Sequence, residues 1–128
     1  MKIEDIRNSG FFVPIFSVTD IASSFEFYTQ VMMFEKRWEW GEPVDYGCVG
    51  FGDKAELFLC QDGQGQSGSW AYLFIDGVTE YAEIIRANGA DILSGPTDEP
   101  WGMREMHVKD PDGHLLRIGT SLERLNEQ

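Results

Sequence analysis

Apolar residues along this chain follow two rhythms, one of period two and one near 3.6, and their order of alternation occurs twice. Residues 11–18, FFVPIFSV, form a β-branched and aromatic run that reads as a strand; it ends at Asp20, a good helix N-cap. Behind it Ile21, Phe25, Tyr28 and Met32 stand at helical spacing. Residues 34–41 alternate again, with Phe34, Lys36, Trp38 and Trp40 on one face against Glu35, Arg37 and Glu39 on the other. Two more strands are expected at 46–51 and 55–60, joined through Gly52-Asp53-Lys54. The first half is therefore β-α-β-β-β.

Residues 61–69, QDGQGQSGS, hold Gly63, Gly65 and Gly68 and no apolar side chain, the composition of a flexible connector. The order then starts over. Residues 70–75 (WAYLFI) predict a strand, and 78–88 a helix with Tyr81, Ala82 and Ile85 inward and Gly89 in the left-handed position after its end. Strands at 91–93, 103–109 and 115–119 complete a second β-α-β-β-β module. A shift of 57 residues lays SVTDI (17–21) on FIDGV (74–78) and Val13 on Trp70. Allowing for the longer Asp-Pro-Asp-Gly turn at 110–113, it sets Glu56-Leu57 on Arg117-Ile118. Neither module closes a core alone, so the two are expected to pack together, within one chain or between swapped chains.

Composition adds bounds. A length of 128 residues with 42% hydrophobic content suits one compact α+β domain: module one at about 8–61, linker 62–69, module two at about 70–120. The leading residues mix charges early and lack a long apolar run, so neither a signal peptide nor a membrane span is expected, and the cytoplasm is the default location. Cys48 and Cys60 share no motif spacing and read as small core residues rather than a disulfide. A net charge of −12 argues against nucleic acid, which is bound through clustered Lys and Arg. It suits a cationic ligand, or serves solubility alone.

The paired modules, VTDIASSFEFY at 18–28 and DPDGHLLRI at 110–118 resemble the vicinal-oxygen-chelate superfamily, which includes glyoxalase I, extradiol dioxygenases and bleomycin-resistance proteins. SWAYLFIDGVTEYAEIIRANGA at 69–90 and WGMREMHVKDPDGHLLRIGT at 101–120 are most similar to the bleomycin-resistance branch. The resemblance implies a cup-shaped mixed sheet and a homodimer with its clefts at the interface. It also implies four positions, one on each of four strands, where the metal enzymes place His or Glu. Those positions fall on Val13, Glu56, Trp70 and Arg117. Only Glu56 offers a donor there, and Arg117 is a cation able to pair with Glu56 across the cup. No metal and no cofactor is expected.

Other donors complete the inventory. Glu105 and His107 share one face of their strand and, with Glu56, would make a nonstandard two-carboxylate and one-histidine metal set. His114, just past the turn, is expected to be exposed, and Asp110 and Asp112 read as turn residues rather than a calcium loop. No phosphate loop, Ser-His-Asp arrangement or nucleophile elbow is visible. The cup instead gathers aromatic surface: Trp70 and Tyr72 on one strand face, Phe58 beside Glu56, and Trp38 or Trp40 at the rim. Flat apolar walls beside a few charges suit a planar, partly cationic organic ligand. The expected function is metal-free binding and sequestration of such an antibiotic-like molecule by Trp38, Glu56, Phe58, Trp70, Tyr72, Glu105, His107 and Arg117. The alternative is a divalent-metal lyase, isomerase or dioxygenase using Glu56 with His107 or Glu105.

Overall fold

The computed structural model describes residues 1–126. Its elements are α1 (Ile3–Ser9), β1 (Ile15–Val18), α2 (Ile21–Glu26), β2 (Glu35–Gly41), β3 (Val44–Phe51), β4 (Ala55–Gln61), β5 (Trp70–Phe74), α3 (Val78–Ala87), β6 (Asp91–Asp98), β7 (Met103–Lys109), β8 (Leu115–Ser121) and α4 (Leu122–Asn126). Helix α2 starts where Asp20 accepts the backbone N–H of Ala22, and it widens over Phe27–Val31, where Met32 N–H reaches Phe27 O at 3.1 Å. The strands form two four-stranded mixed sheets, ordered β1-β4-β3-β2 and β5-β8-β7-β6. In each, the first strand runs parallel to its neighbour and the other pairs are antiparallel. Two βαβββ modules are thus present, as the repeated pattern predicts.

Each sheet has a helix-covered face and an open face. Leu57 and Leu59 of β4, and Leu116 and Ile118 of β8, join Phe16, Tyr28, Val49, Ile85 and Met106 in one apolar cluster that runs through both modules. Glu56 and Phe58, and likewise Arg117, alternate out of that cluster onto the open faces.

The modules are latched on the helix side, largely through the Asp110-Pro111-Asp112-Gly113 turn. Asp112 Oδ1 accepts from Thr19 N at 3.0 Å and Thr19 Oγ1 at 2.8 Å. Asp110 is buried; it accepts from Tyr28 Oη at 2.8 Å and from the backbone N–H groups of Asp112 and His114, both at 2.9 Å. The expectation that His114 is exposed is wrong: it is fully buried and stacked on Phe16 at 4.2 Å. Its Nδ1 accepts from Ser69 N–H at 3.0 Å, so the ring proton lies on Nε2, which donates to Ser17 O at 2.6 Å. The turn therefore ties a histidine of module two to the first strand of module one. Tyr81 Oη, donating to Met32 O at 2.6 Å, adds a second tie.

Three local expectations are corrected. In β2 the register slips between Lys36 and Trp38, a bulge at Arg37 that reverses the alternation. Phe34 is buried in the core and Lys36 lies over the Phe25 ring on the helix side, whereas Trp38 and Trp40 face the open side. Strand β6 continues to Asp98 rather than ending near residue 93, because an edge strand tolerates Pro96 at an irregular register. The ladders also revise the repeat. Ile15 pairs with Phe58, and Tyr72, its equivalent by the 57-residue shift, pairs with Arg117. The helix starts agree: Ile21 N–H donates to Gln61 Oε1 at 2.8 Å and Val78 N–H to Thr120 Oγ1 at 3.0 Å. Phe58, not Glu56, is the repeat partner of Arg117.

Candidate functional site

The open face of the first sheet is an aromatic wall. The bulge in β2 brings Trp38 opposite Cys48, and antiparallel pairing brings Cys48 opposite Phe58. Trp38 and Tyr46 stack at 5.9 Å with their planes 8° apart, and Phe58 meets both edge-on, at 5.3 Å from Trp38 and 5.9 Å from Tyr46. Trp40 follows on the same side and is largely exposed. Glu56 is the carboxylate of this wall, accepting a weak bond from the Cys48 thiol at 3.5 Å. Burial, reinforced by Glu56, pushes that thiol up to about 11, so Cys48 stays protonated and unreactive near neutral pH. Cys48 and Cys60 are both buried and free, as their setting in apolar runs suggests.

The open face of the second sheet is a charged cluster clamped by rings. Arg117 donates from Nε at 3.0 Å and Nη2 at 2.6 Å to Glu105 Oε1, while Tyr72 Oη donates to Glu105 Oε2 at 2.5 Å. The guanidinium lies 5.5 Å from the Tyr72 ring and 5.3 Å from the Trp101 ring. Burial works to raise the Glu105 carboxyl, but hydrogen bonds from Tyr72, Arg117 and Trp101 together with the Arg117 charge outweigh it and hold the group below the usual range. Burial and the Glu105 contact push the Tyr72 hydroxyl well above its ordinary value, so Tyr72 acts as a donor and not as a base. Gly119, opposite Glu105 in the ladder, leaves the room this cluster needs, since a Cβ there would run into Tyr72 Oη. Trp70, 59% exposed, meets His107 edge-on at 5.8 Å, and His107 Nδ1 shares a hydrogen bond with Ser94 Oγ at 3.0 Å.

Trp38 and Phe58 with Glu56, and Trp70, Tyr72, Glu105, His107 and Arg117, thus fall on two open faces, one per sheet. Among the described residues no hydrogen bond, ion pair or ring contact joins the two faces. A cavity of about 470 Å³ marks the seam between them, bordered by Glu56 on one side and Ala71, Tyr72 and Phe74 on the other. A larger depression of about 770 Å³ lies at the β2–β3 hairpin among Trp40, Glu42, Asp45 and Asp62, sharing Trp40 with the aromatic wall. The expected pairing of Arg117 with Glu56 does not occur, because Glu105, two strands from β5, takes the guanidinium first. Tyr46 and Trp101 belong to these surfaces and were not anticipated. Tyr46 shares its alternation with Cys48, which was a usable signal. Trp101 precedes β7, and nothing in the sequence placed it over Arg117.

The residues do not fit a metal. Val13, before the start of β1, and Trp70 offer no donor, and Arg117 is a cation. Glu56 lies on the first sheet, Glu105 and His107 on the second, and Glu105 is saturated by Arg117 and Tyr72. Among the described residues no three of His, Cys, Asp and Glu come together as a metal site.

Known proteins share this fold. A family profile described as Glyoxalase/Bleomycin resistance protein/Dioxygenase superfamily matches residues 12–118. Among solved structures, TioX from Micromonospora sp. ML1 is similar at 21% identity over 89% of this chain and 100% of that one, with a TM-score of 0.79. TnmS3, an antibiotic binding protein from Streptomyces sp. CB03234, shares 22% identity over 88% and 98% of the two chains, with a TM-score of 0.72. A glyoxalase/bleomycin resistance protein/dioxygenase superfamily member from Sphaerobacter thermophilus DSM 20745 shares 20% identity over 88% and 98%, also at 0.72. At these identities the likeness is one of fold. No curated protein matches the chain.

Proposed function

The chain belongs to the Glyoxalase/Bleomycin resistance protein/Dioxygenase superfamily, and from that premise we propose that it is a single-domain binding protein that sequesters a planar, aromatic, partly cationic small molecule without transforming it. One observation carries the reading. At the position where the family's metal enzymes supply a carboxylate, this chain places Arg117, locked onto Glu105 and flanked by two rings. A divalent ion is repelled there, whereas a flat π-system finds a stacking partner.

The two open faces complement each other. A molecule held between the Trp38–Tyr46–Phe58 wall of one copy and the Trp70–Arg117–Trp101 surface of another is enclosed on both sides, and Glu56 meets its positive charge. We place the cleft between two copies because, among the described residues, no hydrogen bond, ion pair or ring contact joins the two faces of one chain. Protection then comes from mass action, since ligand held in the cleft is withheld from its target. The antibiotic binding of the structurally similar TnmS3 supports the ligand class.

Trp70→Ala is expected to weaken binding of an aromatic cationic probe, such as a bleomycin-type glycopeptide, by at least ~1 kcal/mol, about fivefold. Its melting temperature should hold, because Trp70 is 59% exposed and supports little of the core. Titration calorimetry on the variant checks both, and an unchanged Kd removes Trp70 from the site.

A further inference from the structure

Arg117 is held so that only the edge of its guanidinium is left to a ligand. It stands on a central strand of the second sheet, opposite Tyr72 across one ladder and His107 across the other. The rings of Tyr72 and Trp101 already lie over the guanidinium, at 5.5 and 5.3 Å. Nε and one N–H of Nη2 are spent on Glu105 Oε1. A guanidinium is a rigid fork of five N–H donors with no acceptor, and among the described residues the N–H groups left over, at Nη1 and on Nη2, have no partner. The side chain is 35% exposed, so water can reach these donors while the face is open. A ligand enclosed between this face and the aromatic wall of another copy shuts that water out. A donor cut off from water without an acceptor is costly, the more so when it is charged, so the ligand has to bring the acceptor itself.

The surrounding charges decide what kind of acceptor fits. Glu105 already neutralises Arg117, Glu99 acts on the same guanidinium, and the chain carries a net charge of −12. A carboxylate or phosphate on the ligand would be repelled by that field, whereas a carbonyl oxygen takes the N–H groups without adding a charge. We propose that Arg117 determines specificity by donating through its unpaired N–H groups to a neutral carbonyl oxygen on the rim of the ligand's ring system. The ligand class is then a planar aromatic carbonyl compound whose ring lies on the exposed faces of Trp70 and Trp101 and whose basic group lies toward Glu56. The inference rests on the enclosed binding proposed above and names the group that the ligand must carry.

Titration calorimetry of the full chain with three probes tests it: an aminomethyl fluorenone, the aminomethyl fluorene of the same outline, and an aminomethyl fluorene carboxylate with an anion in the carbonyl's place. The parent is expected to bind the fluorenone about tenfold or more tightly than the fluorene, because only the fluorenone satisfies the buried donors. The carboxylate should gain nothing over the fluorene. Arg117→Met with Glu105→Gln removes the donors without leaving a buried carboxylate unpaired, and should shrink the preference to about twofold at little cost to fluorene binding. An unchanged near-ultraviolet circular dichroism spectrum confirms that the variant folds, and the comparison of probes on the parent needs no variant. Equal affinity of the parent for fluorenone and fluorene, or tighter binding of the carboxylate, overturns the inference and leaves the binding function standing. A preference that survives intact in the variant also overturns it, since another donor of the face, such as His107, then holds the carbonyl. A parent chain that binds none of the three probes overturns the planar-cation reading and this inference together.

Discussion

Asp110→Ala is expected to cost about 3–4 kcal/mol of folding stability, read as a fall in Tm of more than about 10 °C. The side chain is a buried acceptor for three donors: the fully buried Tyr28 hydroxyl from module one and the N–H groups of Asp112 and His114 that shape the turn. A buried donor left unpaired costs ~1–3 kcal/mol, so losing a shared acceptor exceeds the usual effect of a surface substitution. The turn also positions His114, so loosening it slackens the contact with Ser17 and Phe16. What the site needs is acceptor oxygen, not charge. Burial raises the Asp110 carboxyl above its ordinary value in spite of those donors, which means that ionisation is a cost to the folded state. Asp110→Asn, which keeps one acceptor oxygen, should therefore retain more stability than Asp110→Ala. Urea titration of the two variants measures the difference, and an alanine variant within 1 kcal/mol of the parent would show that the turn is not the latch.

Glu105→Ala is expected to cost about 2 kcal/mol at neutral pH. Removing one partner of a well-buried ion pair costs ~3–5 kcal/mol, but the Arg117 side chain is 35% exposed, so water replaces part of what is lost. The variant should also lose pH dependence on the acid side. The Glu105 carboxyl is held below its ordinary value in the folded protein, so its contribution is fully present above the unfolded value and disappears as pH falls through the lowered folded one. Asp110 acts in the opposite sense, its shift favouring the folded state as pH falls, and it is common to parent and variant. The difference between their stability–pH curves therefore isolates Glu105. A difference that stays constant from pH 7 down to pH 3 contradicts the lock. Freed from Glu105, Arg117 should leave the gap between Tyr72 and Trp101, and binding of an aromatic probe should weaken with it.

The repeated order of rhythms carries the fold because each module announces its own punctuation: Asp20 before one helix, Gly89 after the other, and turns at 52–54 and 110–113. Two kinds of information were out of reach. A single bulged residue, Arg37, reverses the faces of β2, and strict alternation cannot reveal it; the aromatic assignment of Trp38 survives while Lys36 and Phe34 move to the helix side. Partners fixed by tertiary pairing were the second. Glu105 reaches Arg117 diagonally across the β7–β8 ladder, and a ladder whose register is unknown leaves Glu56 an equally plausible partner. His114 shows the same limit from the other direction, since a polar residue beside a turn reads as exposed until the neighbouring module covers it. Helix α1 carried no signal at all, for its apolar pair Ile3 and Ile6 has no core of its own to face.

We propose that this site binds an aromatic ligand through rings and fixed charges with no divalent ion taking part. It is tested most directly by titration calorimetry of the chelator-treated protein with metal-free, bleomycin-type and other planar cationic antibiotics, followed by analysis of the recovered ligand. The expected result is saturable binding in the presence of chelator, weakened by Trp70→Ala, with the ligand returned chemically unchanged. Binding or turnover that appears only when about one equivalent of Mn, Fe, Ni or Zn is restored, and that Glu56→Ala abolishes, would contradict it.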